Sequence, residues 1–180
     1  GVATFISIIY CNKESTPIQI SPEAYHSSVD KVTEVMIHDI FSPPVASRIY
    51  AYPNIAAFEV LAKKEGNFNS LAGQLTGFTD VPVPQEPEVV NYDLAALIAH
   101  IDLSKKLIFS EDRIAVYRDS LYGVWEEQNE KEFLASKNYG LKVAAHVASW
   151  MDQDNYKQTR TMPKFSVDSD DPSRWQPTPP

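Results

Sequence analysis

Cysteine is nearly absent. Cys11 is the only one in 180 residues, which excludes an intrachain disulfide and a cysteine-based metal cluster. Glycine is sparse, at six, and neither a Gly-rich phosphate loop nor a Gly-x-Ser-x-Gly nucleophile elbow occurs. The apolar stretch from Val2 to Tyr10 falls well short of the roughly 20 residues that a membrane-spanning helix needs. Basic residues are outnumbered, 16 against 24, for a formal charge of −8. That sign argues against a nucleic-acid or anionic-membrane surface, either of which needs a basic face. No two of the four histidines (His26, His38, His100 and His146) stand three or four residues apart, so no helical His-x3-His metal site exists. Glu23 and His26 have the Glu-x-x-His spacing of a carboxylate di-iron helix, but that site takes two such motifs and two further glutamates. The histidines are therefore expected to be exposed or satisfied by neighbours, not to bind metal.

Proline, by contrast, is plentiful at thirteen, and its placement delimits helices more than it breaks them. Ser21-Pro22-Glu23 is a helix start: a capping hydroxyl, a proline in the first turn, and a carboxylate at the positive end of the dipole. From there Tyr25, Val29, Val32, Val35, Met36 and Ile40 recur at helical spacing. Ser42-Pro43-Pro44 starts a second helix that is apolar on most sides, through Val45, Ile49, Tyr50, Tyr52, Ile55, Phe58 and Leu61. A helix of that kind is expected at the centre of a bundle. Pro53 removes one of its internal hydrogen bonds, and Gly66 is the expected C-cap. Of its few polar residues, Arg48 is expected, with Asp39 just before the helix, to pair or to cap helix ends.

A long connection follows, with a single helical turn at Leu71 to Leu75 and an extended path through Pro82, Pro84 and Pro87. A third helix is predicted from Val90 to Phe109. Ser110 caps a fourth that begins with Glu111 and Asp112 and reaches Trp125. Asn129 and Glu132 form a capping-box-like start for a fifth, which runs to Met151. Gly140 within the fifth points to close approach of another helix. The acidic run Glu126, Glu127, Glu130 and Glu132 is expected to be a solvated junction. Five helices of roughly 18 to 24 residues joined mostly by tight turns make an all-α antiparallel bundle. The organisation is a leader or extended arm over 1–20, the bundle over 21–153, and an irregular Pro-rich tail over 154–180. The leader is open to two readings: the end of a secretory signal with Cys11 as a lipidated cysteine, although Tyr10 stands where a small residue belongs, or an apolar arm packed on the bundle.

Several stretches carry a family likeness. His38 to Tyr52 (HDIFSPPVASRIYAY), Ser70 to Leu75, Phe109 to Asp112, Asp154 to Arg160, and Trp175-Gln-Pro-Thr-Pro-Pro180 together resemble the N-terminal helical region of bacterial members of the type-2 phosphatidic acid phosphatase and vanadium-dependent haloperoxidase superfamily. The resemblance implies that vanadate or phosphate is held, in the complete enzyme, by Lys-x6-Arg-Pro, Pro-Ser-Gly-His and Ser-Arg-x5-His-x3-Asp motifs. Cations and hydrogen-bond donors there neutralise the oxyanion and a histidine is the nucleophile or axial ligand. Lys106 and Arg113 have the first spacing, but Ile114 replaces the proline and a helix junction separates them. Pro-Ser-Gly-His is absent, and no histidine follows Ser47-Arg48 at the required distance. No catalytic residue and no cofactor ligand is carried over.

What the resemblance implies is the N-terminal portion of a longer enzyme, ending just before its catalytic half. An exposed apolar surface would face that half or a second copy of the chain. Arg160 and Trp175 are the residues expected to line a substrate pocket, because their stretches abut the catalytic half. The expected setting is an exported, periplasmic or outer-membrane-associated bacterial protein with a possible lipid anchor. The alternative is an exported all-α interaction module with no catalysis of its own.

Overall fold

Each helix begins where the chain supplies acceptors for its first backbone N–H groups. The computed structural model describes residues 16–65, 68–163 and 166–177. Among these are six helices and no strand: α1 (Pro22–His38), α2 (Pro43–Glu65), α3 (Tyr92–Lys105), α4 (Glu111–Gln128), α5 (Glu130–Met151) and the short α6 (Tyr156–Thr159). Both Cys11 and Gly66 lie outside the described residues. Asn91 caps α3 by accepting from the Leu94 N–H at 3.0 Å, and Asn129 caps α5 by accepting from the Glu132 N–H at 3.2 Å. Ser21 and Ser110 occupy the N-cap positions of α1 and α4, yet neither side chain makes the capping bond. The Ser110 hydroxyl donates instead to Asp39 Oδ1.

The centre of the bundle is α3, not α2 as its apolar sequence suggests. Ten of the 14 residues of α3 are buried, with Leu94 through Ile101 unbroken. It packs against α1, α2, α4 and α5. On α2, Ala51 and Asn54 face solvent and Tyr50, Tyr52 and Ile55 are half-buried. Aromatic rings and methyls on that helix cover part of the surface without sealing it. The third helix is also shorter than predicted. Lys106 N–H bonds to the Leu103 carbonyl at 3.2 Å and Leu107 N–H to Ser104 at 3.0 Å, tightening the last turn and ending the helix before Phe109.

Close packing of α3 against α5 depends on Gly140. A Cβ built there would lie 2.5 Å from the Ala95 carbonyl oxygen, a backbone atom that cannot swing aside. The helices alternate in direction. At one end Lys64 near the end of α2 pairs with Asp93 at the start of α3, 2.9 Å away. The same end carries a polar knot. Asn91 Nδ2 donates to the Ile18 carbonyl at 2.7 Å, and Glu132 accepts from the Ile18 N–H at 2.8 Å. The extended residues before α1 are thus strapped to the starts of α3 and α5, with Ile18 only 1% exposed.

The connection between α2 and α3 is anchored by Glu59, a fully buried carboxylate on α2. It accepts from the Ser70 hydroxyl and the Leu71 N–H, both at 2.7 Å. The helical turn expected at Leu71 to Leu75 forms next, through the Leu75 N–H to Leu71 carbonyl bond at 3.1 Å. Glu126, Glu127 and Glu130 are exposed, as expected of a solvated junction, whereas Glu132 turns inward to the knot.

Candidate functional site

At the opposite end of the bundle three helix junctions meet: α1 to α2, α3 to α4, and α5 to α6. Asp39, between α1 and α2, accepts from the Phe109 N–H at 2.9 Å, the Ser110 N–H at 3.0 Å and the Ser110 hydroxyl at 2.5 Å. It thus holds the two residues that lead into α4. Partial burial alone would raise the Asp39 carboxyl, but the Ser110 and Phe109 hydrogen bonds outweigh it and hold the group below the ordinary carboxylate range.

Arg48, in the second turn of α2, ties in the third junction. Its Nε donates to Asp154 Oδ2 at 2.6 Å, and its guanidinium carbon lies 4.4 Å from the Tyr156 ring centroid and 5.1 Å from that of Tyr52. The Tyr52 hydroxyl donates to the same Asp154 oxygen at 3.0 Å, and the Tyr156 N–H to Oδ1 at 2.8 Å. Desolvation opposes ionisation of Asp154, yet its bonds to Arg48, Tyr156 and Tyr52 lower its pKa overall. The Tyr52 hydroxyl is pushed up to about 12, first by burial and then by Asp154. Asn155 between them takes a left-handed backbone at φ 62°, the turn that directs the chain into α6. The helix α6 lies in a stretch expected to be irregular; four residues with an Asp154 side-chain bond at their start are too short to show a helical period.

A cleft of about 310 Å³ opens beside this corner, lined by Tyr52, Thr76, Gly77, Trp150, Gln153 and Asp154. Two of these lining residues are joined, Trp150 Nε1 donating to the Thr76 carbonyl at 3.0 Å. Arg160 is exposed at the end of α6, its guanidinium 5.6 Å from the Tyr156 ring. Trp175 lies in the tail and is 66% exposed. The structure therefore links Arg160 to Arg48 through Tyr156. The residues that organise the corner (Tyr52, Asp154 and Tyr156) went unpredicted as site residues, although the Asp154–Arg160 stretch was singled out for its likeness.

Holding a vanadate or phosphate takes several cations and a histidine at one place. The histidines do not sit so. His100 is 2% exposed, with Nδ1 2.8 Å from Ser28 Oγ and its ring 5.0 Å from that of Tyr25. His146 lies 3.1 Å from the Thr79 carbonyl, and its ring is 5.7 Å from Phe78. Both His26 and His38 are exposed. Lys106 pairs with Asp102 at 3.5 Å. Among the described residues no group of His, Cys, Asp and Glu is placed to hold a metal ion, and no helix is long and apolar enough to cross a membrane. Among the described residues, the four histidines, Arg48 and Lys106 are not gathered at one place.

The all-α bundle is what the chain shares with a known class. Neither the protein-family models nor the curated proteins include a match. Among solved structures, the chain is similar to the crystal structure of a bacterial vanadium-dependent iodoperoxidase, with 62% sequence identity and a TM-score of 0.83. The match covers 93% of this chain and 40% of that one. The chain belongs to the type-2 phosphatidic acid phosphatase and vanadium-dependent haloperoxidase superfamily, and it spans less than half the length of the iodoperoxidase that it matches.

Proposed function

We propose that this chain is the N-terminal helical portion of a vanadium-dependent, iodide-oxidising peroxidase, a scaffold on which a catalytic half carrying the oxyanion pocket is mounted. The observation that carries this reading is the pairing of 62% identity over 93% of this chain with only 40% of the iodoperoxidase. That identity also favours halide oxidation over phosphate-ester hydrolysis, the other chemistry of the superfamily. Vanadate, when bound in the complete enzyme, supplies the oxidation chemistry. The part played by these residues is mechanical: α3 fixes the bundle, Asp39 and Arg48 lock three junctions together, and α6 sets the direction of the tail.

In this reading Arg160 and Trp175 line the approach to the catalytic pocket. Export, with lipid attachment at Cys11, belongs to the same proposal. The test begins with the gene. A reading frame running past Pro180 into Pro-Ser-Gly-His supports the reading, and the longer product should oxidise iodide only when loaded with vanadate. Replacing Arg160 and Trp175 together by alanine in that product should weaken vanadate or iodide binding; unchanged affinity for both removes the pocket-lining role. A longer product that hydrolyses phosphate esters and leaves iodide untouched would overturn the choice of chemistry.

A further inference from the structure

We propose that the end of the bundle where α1 meets α2 and α3 meets α4 is a docking surface for the remainder of a longer enzyme chain, an inference that rests on the reading above that such a remainder exists. Three large apolar side chains stand in the open there: Ile37, 74% exposed, Ile40, 88%, and Phe109, 74%. All three stand at one junction of helix ends. Phe41 stacks on Phe109 with 4.6 Å between ring centroids, and Asp39, between Ile37 and Phe41, holds the backbone of Phe109 and Ser110. Contiguous apolar surface of this kind marks an interaction site more often than scattered single residues do.

The backbone of Ile40 supplies a second, independent observation. α1 ends in a Schellman motif: the Phe41 N–H bonds to the Met36 carbonyl and the Ile40 N–H to the Ile37 carbonyl, both at 3.2 Å. Ile40 therefore takes the left-handed position, at φ 57°, where glycine is usual. A β-branched residue there is a steric outlier, and in this bundle its side chain gains almost no burial to offset the strain. Strain of this sort collects at functional surfaces. A partner that covers Ile40 provides the missing burial.

The direction of the chain identifies the occupant. Arg48 bonds to Asp154 across this same end, so the tail leaves the bundle from here, carrying the exposed Met162, Val167 and Trp175. Most of the iodoperoxidase chain, 60% of it, lies outside the match. A second copy of this chain is the less favoured occupant, because two molecules each of formal charge −8 repel one another.

The test compares the 180-residue chain with the longer product by hydroxyl-radical labelling read by mass spectrometry. Ile37, Ile40 and Phe109 should be labelled several-fold less in the longer product. Equal labelling overturns the inference, as does protection that appears in the 180-residue chain alone and grows with its concentration, which marks a second copy. An Ile40→Asn variant separates docking from local strain. Asparagine accepts the left-handed backbone, so the variant should raise the melting temperature of the 180-residue chain and lower that of the longer product; a rise in both overturns the inference. Orthovanadate binding by the longer product reports separately on the proposed function. A product that binds vanadate but leaves the patch labelled fails this inference alone, and one that protects the patch without binding vanadate fails only the chemistry.

Discussion

His100 sits in the core, and the cost of burying it is readable in pH. Burial lowers its pKa from 6.5 to about 4. In the unfolded chain the ring takes up a proton near 6.5; in the folded chain it resists until near 4. Between those values the unfolded state binds more protons, so stability falls as pH is lowered through the window and levels off below it. The loss amounts to about 3 kcal/mol. Urea unfolding between pH 7 and pH 4 should show it, and a His100→Gln variant, destabilised at neutral pH by its poorer fit, should lack that part of the slope. An identical slope in the variant would assign the pH dependence to carboxylates such as Asp39 and Asp154. The Ser28 contact that satisfies His100 joins positions 72 residues apart, which no local pattern reveals. Asp39 was easier, since a carboxylate just before a Ser-Pro-Pro start invites a capping role. Replacing it by alanine leaves the Phe109 and Ser110 N–H groups at the entry to α4 without their acceptor. The expected loss is about 1–2 kcal/mol in urea unfolding, with asparagine recovering part of it.

Whole helices were legible where periodicity and caps agreed, as in α1, α4 and α5, and less so where two segments were equally apolar. α2 carries the larger aromatic load, whereas α3 is aliphatic, with three leucines, two isoleucines and three alanines. Buried on every side from Leu94 to Ile101 and closely approached at Ala95, α3 rather than α2 occupies the centre. Hydrophobic content alone does not distinguish a helix that is wrapped from one that does the wrapping. Gly140 did carry that information. Its substitution by alanine places a methyl against the Ala95 backbone and should cost about 2–3 kcal/mol as α3 and α5 are forced apart. Gly123 on α4 provides the opposite case: a Cβ there meets nothing within 4 Å, so Gly123→Ala should stabilise the chain by about 1 kcal/mol through helix propensity alone. The pair makes a control for each other in one set of denaturation curves. Equal effects would mean that α5 is not seated against α3 as described.

At the scale of the molecule the two ends differ in how they are held. One is closed by Asn91 and Glu132, whose bonds strap the residues before α1 onto the starts of α3 and α5. The other is open, its three junctions joined by Asp39 and by Arg48, with apolar side chains standing between them and solvent. The proposed scaffold role would use that asymmetry: one end finished in itself, the other rigid in position yet open to a partner. The likeness in His38 to Tyr52 and in Asp154 to Arg160 turns out to involve two segments that touch, through Arg48 and Asp154, although 106 residues separate these two partners. The contact makes a sharp prediction. The Arg48 and Asp154 side chains are only 15% and 23% exposed although the pair lies at the surface, so solvent screens it in part. Arg48→Ala should cost about 1–2 kcal/mol, softened because Asp154 keeps its bonds from Tyr52 and Tyr156. Its local effect should be larger than its global one: amide hydrogen exchange in Tyr156 to Arg160 should quicken while the amides of α3 keep their protection. Lysine at position 48 should rescue little, since an ammonium has no planar face to lay on the Tyr156 ring. If exchange quickens uniformly through α3 as well, Arg48 is a general support of the fold. If it quickens only past Asp154, Arg48 is the clamp that fixes where the tail departs.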